Sequence, residues 1–178
     1  MTANTKLPVA GCHLIETLEL IKQANNLVNP TSGIANDFLN QYNEVLLLVE
    51  NLPVLLPEMV DELLAWKAKS YEEYFNSSPL PGGHIAIKIY NTLDSQFRRK
   101  FETQIAKANK IAEKAISVID NRRQNLSEEL SADDIELFCG NISKKLREEI
   151  EKAARMVNHG LAVAPETSQA LADRLMQA

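Results

Sequence analysis

Asp120 and Gln124 are the residues whose types and spacing come nearest to a catalytic pair. They stand four positions apart, so both side chains share one face if this segment is an α-helix. A carboxamide beside a carboxylate can orient a water molecule for attack on an acyl phosphate, which is already labile. The pair therefore predicts a site for phosphate hydrolysis.

The Asp-x-x-x-Gln pattern of Asp120 and Gln124 is similar to the catalytic pattern of CheZ-type phosphatases, which remove phosphate from aspartate on response regulators. Those proteins also present their catalytic residues on a long helical hairpin. The resemblance covers these two positions and no substantial length of the chain. It implies an alternative function for this protein, that of a response-regulator phosphatase.

A second candidate site is Gly82-Gly83 followed by His84, at the end of the stretch NSSPLPGGH. Backbone amides at a helix start can bind an anion, and His84 would add positive charge below neutral pH. The other interpretation is a corner between two helices, because Pro79 and Pro81 cannot continue a helix and glycine permits positive φ. We favour the corner, since no neighbouring Lys, Ser or Thr completes a phosphate-binding loop.

Basic residues concentrate in the second half of the chain. Residues 1–83 contain four basic and ten acidic residues, whereas residues 84–160 contain fourteen and twelve. These clusters could attract an acidic partner protein, although the charges of a long helix are usually its solvated face. The candidates for partner binding are Arg98, Arg99, Lys100, Arg122, Arg123, Lys144 and Lys145. Nucleic acid is not expected, because the net charge is −5 and the basic residues alternate with acidic ones along the sequence.

The motifs of metal and cofactor sites are missing from the sequence. None of His13, His84 and His159 has a second ligand at helical spacing, and no phosphate-binding loop, dinucleotide fingerprint or serine-hydrolase elbow occurs. We therefore expect no metal and no cofactor. Cys12 and Cys139 lie far apart and suit reduced thiols, although a pairing between them stays open.

The hydrophobic periodicity is helical along nearly the whole chain. The predicted helices cover residues 14–28, 34–52, 57–75, 90–124, 133–159 and 166–176. Residues 84 to 124 contain neither Gly nor Pro, and the sequence leaves open whether they form one continuous helix. The alternative for its start is an extended stretch at 84–89, because HIAIKIY alternates like a β-strand. Gly140 is expected to mark a close helix crossing.

These elements predict an all-α fold, an antiparallel bundle of about five long helices plus a short C-terminal helix. Its spine is a long helical hairpin of residues 90–124 and 133–159. The chain has 178 residues, of which 45% are hydrophobic, and this suits a single domain over residues 1–178. A boundary within it is suggested at the Pro/Gly corner of residues 76–84.

The apolar stripe on residues 97–119 is longer than N-terminal helices of about 15 residues would cover. We therefore expect a homodimer with two-fold symmetry through this stripe. A membrane partner is not expected, because the most apolar stretch, VLLLVENLPVLLP, is too short to cross a bilayer. The start of the chain lacks the pattern of a secretory signal, which favours a cytoplasmic location.

The absence of catalytic clusters, together with long charged helices, favours a protein that acts by binding another protein. We expect a bacterial regulatory or adaptor module of the cytosol, without enzymatic activity, whose partner presents an acidic surface. The phosphatase that uses Asp120 and Gln124 is the alternative.

Overall fold

A computed structural model describes residues 27–52, 57–124 and 132–160 of the chain. Within these ranges the regular structure is helical, apart from one isolated bridge between Val28 and Ala35. The prediction of an all-α fold is thus confirmed. The predicted helix at 166–176 lies outside the described residues, and so do Cys12 and all but the last two residues of the predicted helix at 14–28.

The described residues form six α-helices, with a 3-10 turn at Asn36–Leu39 that leads into the first. They are α1 (Asn40–Asn51), α2 (Pro57–Ala65), α3 (Tyr71–Ser77), α4 (Gly83–Thr92), α5 (Ser95–Gln124) and α6 (Ala132–His159). None of them combines the length and the apolarity needed to span a lipid bilayer.

The prediction of a single helix at 57–75 is wrong, because the chain forms two helices there. The break at residues 66–70 ends at Ser70, which begins α3 with a capping box. The Ser70 hydroxyl accepts from the Glu73 amide at 3.2 Å, and the Ser70 amide donates to the Glu73 carboxylate at 2.8 Å. These bonds satisfy backbone donors at the helix start, so a new helix begins here without a proline or a glycine.

The segment from 84 to 124, whose continuity the sequence left open, forms two helices. Leu93 has an extended conformation, and the Asp94 carboxylate accepts from the amides of Gln96 and Phe97 at 3.0 and 2.9 Å. Asp94 therefore caps α5 and turns the chain between α4 and α5. The extended stretch considered for 84–89 is wrong as well, because α4 covers these residues.

Helices α5 and α6 are the two longest in the described residues and correspond to the predicted spine. The Gln104 amide group donates to the backbone carbonyl of Glu149 at 3.0 Å. Near the other end, the guanidinium carbon of Arg122 lies 5.4 Å from the ring centroid of Phe138. The first contact joins residues 104 and 149 and the second joins residues 122 and 138, so a higher number on α5 goes with a lower number on α6. The two helices therefore run in opposite directions.

The apolar stripe of α5 is largely buried within one chain. Of its members, Phe97, Phe101, Ile105, Ala108, Ala112 and Ile119 expose at most 8% of their surface, and Ile116 is half-buried. This burial weakens the reason given for a homodimer, which stays a prediction. Gly140 is not at a close crossing, because a Cβ built there would meet no atom within 4 Å.

Candidate functional site

The predicted catalytic residues lie near the C-terminal end of α5. Asp120 is half-buried there, on the helix flank that also carries Glu113. The side chain of Gln124 lies outside the described residues, so the phosphatase hypothesis stays a prediction. Among the residues that the structure describes, no group of three or more His, Cys, Asp or Glu side chains could hold a metal ion.

The residues of the predicted anion site form the corner between α3 and α4. Gly82 caps α4 with φ of 87°, and a Cβ on the buried Gly83 would lie 3.1 Å from the Phe75 carbonyl oxygen. The Gly83 amide donates to the Leu80 carbonyl at 3.4 Å, and the Ile85 amide donates to the Gly82 carbonyl at 2.9 Å. The amides of Gly83 and Ile85 at this helix start are thus engaged within the chain, which supports the corner interpretation.

Three of the seven predicted partner-binding residues have partners inside the chain. The pairs are Arg98 with Glu102 at 3.7 Å, Arg122 with the ring of Phe138, and Arg123 with Asp61. The other four, Arg99, Lys100, Lys144 and Lys145, are exposed. Of these, Lys100 and Lys145 lie along the groove between α5 and α6.

Two rows of exposed basic residues flank the outer groove between α5 and α6. The row on α5 is Lys100, Lys107 and Lys114, and the row on α6 is Lys145, Lys152 and His159. Members of each row are seven residues apart, which is nearly two helical turns, so each row stays on one face of its helix. We refer to this groove and its two rows as the lysine-lined seam.

The floor of the lysine-lined seam is largely apolar. Its residues have the same seven-residue spacing, with Gln104, Ile111 and Val118 on α5 and Ile142, Glu149 and Met156 on α6; Gln104 is buried and the other five are half-buried. Around Met156 the surface forms a shallow depression of about 330 Å³, also lined by Arg99, Lys100, Thr103, Gln104 and Lys107. The seam therefore combines mainly positive charge at its margins, where Glu148 is an exposed acid between Lys145 and Lys152, with apolar surface between them.

One polar pair interrupts this floor. The buried Gln104 donates to the Glu149 carboxylate at 2.6 Å, and the Lys152 ammonium donates to the same carboxylate at 2.5 Å. Burial alone would raise the pKa of Glu149, but the bonds from Lys152 and Gln104 and the charge of Lys107 hold this pKa below its ordinary value. Glu149 is thus an ionised and internally satisfied acid in the middle of the seam.

The acidic residues of α5 lie on the opposite flank of this helix. Glu102 accepts from the Tyr90 hydroxyl at 3.2 Å, and the charge of Glu113 acts on Tyr42 of α1. Along the sequence the charges of α5 alternate, but on the helix Lys100, Lys107 and Lys114 lie toward the seam. Arg98 and Arg123 lie on the acidic flank, where they pair with Glu102 and with Asp61 of α2. The expectation that the protein does not bind nucleic acid stays a prediction.

A deeper cavity of about 480 Å³ lies on this acidic flank, between α5 and the start of α3. Its walls include the rings of Phe38, Tyr71, Tyr90 and Phe101, and Tyr71 stacks on Tyr90 with centroids 4.1 Å apart. At its margin, the Asn91 side chain donates a hydrogen bond to the Glu72 carboxylate at 2.8 Å. We interpret this aromatic joint as the contact that holds α3, α4 and α5 together.

The buried tyrosines predict a loss of stability in alkali. Burial raises the pKa of Tyr71 to about 12, and burial is also the main cause that raises the pKa of Tyr42 and of Tyr90. In the unfolded chain a tyrosine ionises near pH 10, so the stabilisation is complete below this pH and is lost as the pH rises through the folded-state pKa values. Urea unfolding should show a decrease between about pH 10 and 12 of up to ~1.4 kcal/mol per pH unit for each tyrosine.

The control for this prediction is Tyr71→Phe, which removes one titrating group from the aromatic joint. Its unfolding free energy should depend less steeply on pH than that of the wild type over the same interval. An identical slope in both proteins would show that Tyr71 does not contribute.

Sequence reasoning missed three lysines of the seam, namely Lys107, Lys114 and Lys152. The signal was present as the seven-residue spacing from Lys100 and from Lys145. Basic residues adjacent in the sequence point in different directions on a helix, whereas residues seven apart share a face. Clusters such as RRK were therefore a poorer guide than the heptad period.

Comparison of the chain with protein-family models, curated proteins and solved structures finds no match in any of the three. The functional conclusion therefore depends on the chemistry of the lysine-lined seam.

Proposed function

We propose that this protein acts by binding another protein, and that the lysine-lined seam binds an acidic segment of this partner. The observation that supports the proposal is the presence of two exposed basic rows on either side of a half-buried apolar floor. Acidic side chains would complement the rows, while the floor offers contact area that a purely charged surface lacks. Such binding fits a regulatory or adaptor module, and we propose a cytoplasmic location for it.

The two features of the seam would contribute differently to binding. A single exposed ion pair adds only about 0.2–1 kcal/mol, so the lysines mainly speed association and select an acidic partner. Burial of the floor adds about 25 cal/mol for each Å² of apolar surface removed from water. We therefore expect binding that weakens with salt and persists in part when the charges are screened.

The test begins with affinity capture by the immobilised full chain and identification of the retained protein by mass spectrometry. The purified partner is then titrated calorimetrically at about 50 mM and about 500 mM NaCl. We expect a partner with an acidic binding segment and an affinity that falls about tenfold or more over this range, because several surface charges are screened. A partner that binds equally well at both salt concentrations would overturn the proposal.

A further inference from the structure

We infer, on the basis of the proposed function, that the acidic segment is an amphipathic α-helix that packs along the lysine-lined seam as a third helix. Two adjacent helices leave a groove along their contact line. A partner helix in the groove between α5 and α6 would have the basic row of α5 on one side and the basic row of α6 on the other. The observation that favours a helical partner segment over an extended one is the seven-residue spacing of both the rows and the floor.

The distances along the seam support this conformation. Successive lysines in one row are about 10–11 Å apart along the helix axis at a rise of 1.5 Å per residue. Acidic residues spaced by seven on a partner helix repeat at the same interval. In an extended segment, side chains on one face repeat at about 6.6 Å or 13 Å, so only some of them would meet a lysine.

The floor specifies the sequence pattern of the partner helix. Apolar side chains of the partner would cover Ile111, Val118, Ile142 and Met156, and Glu or Asp would flank them at the positions beside the two rows. The pair Gln104 and Glu149 interrupts the apolar floor, so a polar residue is expected opposite it. A polar position of this kind fixes the register of a helix in a coiled coil.

Other occupants of the seam fit less well. A second copy of this chain, in a two-fold symmetric pair through the seam, would bring the same lysines to the groove, and like charges would then face each other. A nucleic acid would place phosphates against an apolar floor with the ionised Glu149 at its centre. Nucleic-acid surfaces are instead continuous basic patches that track the phosphate backbone.

The inference can be tested with three synthetic peptides of about 21 residues, or three heptads, and the full chain. The first has Leu and Ile at the apolar positions and Glu at the flanking positions. The second is the same peptide with two central residues replaced by proline, which keeps the charge and breaks the helix. The third has Lys in place of the flanking Glu. Fluorescence anisotropy measures their binding, and circular dichroism measures their helicity.

We expect the helical acidic peptide to bind at least about tenfold more tightly than the other two, a difference of about 1.4 kcal/mol. The substitutions Lys114→Glu and Lys145→Glu, one in each row, should together reduce this binding by about tenfold or more, since they reverse the charge on both sides of the groove.

Each contrary result has a distinct meaning. Equal binding of the helical and the proline-containing acidic peptides would overturn the inference of a helix and leave the proposed acidic partner intact. Equal binding of the acidic and the basic helical peptides would overturn both. Absence of binding by the helical acidic peptide, with an acidic partner still captured by the full chain, would overturn the inference alone. Tighter binding of single-stranded DNA through the same two lysines would contradict the proposed function.

Discussion

Replacement of Phe38 by alanine is expected to lower the free energy of unfolding by about 3–5 kcal/mol. The Phe38 side chain is almost fully buried at the start of the bundle, in the turn that leads into α1. Its ring contacts four others, with centroids 5.1 to 6.0 Å away; these belong to Tyr42, Tyr71, Tyr74 and Phe101. Removal of the ring would leave a cavity where three parts of the bundle meet.

Urea denaturation followed by far-ultraviolet circular dichroism measures this change. Phe38→Leu is the control, because it keeps most of the buried apolar volume and should cost about 1–2 kcal/mol. If Phe38→Ala costs no more than Phe38→Leu, the ring of Phe38 is not the centre of the aromatic joint.

Replacement of Gln41 by leucine is expected to lower the free energy of unfolding by about 2–3 kcal/mol, because it leaves partly buried backbone groups without their partners. The Gln41 carboxamide accepts from the Lys69 amide at 2.9 Å and donates to the Lys69 carbonyl at 3.3 Å. Leucine has a similar size but cannot make either bond. Since Lys69 lies in the break between α2 and α3, this segment should in addition open locally.

Hydrogen exchange resolves where this loss occurs. The amide of Lys69 should exchange about 30-fold faster or more in Gln41→Leu, while amides in the middle of α5, which open only with the whole bundle, should accelerate by no more than the fall in the global free energy of unfolding. Asn43→Ala, on the exposed side of α1, provides the control and should leave Lys69 protected. Unchanged exchange at Lys69 in Gln41→Leu would refute the role given to this side chain.

The all-α class and the long pair of helices followed from periodicity, because apolar residues at threes and fours determine which face of a helix is buried. The break before Tyr71 was not predicted and the break before Ser95 was left open, because neither break involves proline or glycine. Both have local signals, a Ser-x-x-Glu capping box at Ser70 and an aspartate cap at Asp94. The bond from Gln41 to Lys69 could not be read from the sequence, because it joins residues 28 positions apart and depends on the fold.

The candidate site was predictable in part. The concentration of basic residues in the second half of the chain indicated the helices that carry the seam. It did not indicate which residues share a surface, since that depends on the helical period and on the pairing of α5 with α6. Lys100 and Lys145 were selected as members of sequence clusters, and the structure brings them to one groove through the contact of Gln104 with Glu149.

The measurement that tests the lysine-lined seam most directly is a comparison of two double variants with equal changes in net charge. Lys114→Glu with Lys145→Glu alters both rows of the seam, and Lys67→Glu with Lys88→Glu alters exposed lysines elsewhere. Both variants should keep their stability within about 0.5 kcal/mol for each exposed substitution. Titration with the captured partner should show affinity at least about tenfold weaker for the seam variant and within about twofold of wild type for the control, because only the first removes complementary charge. Equal losses in both variants, or none in the seam variant, would contradict a binding role for the seam.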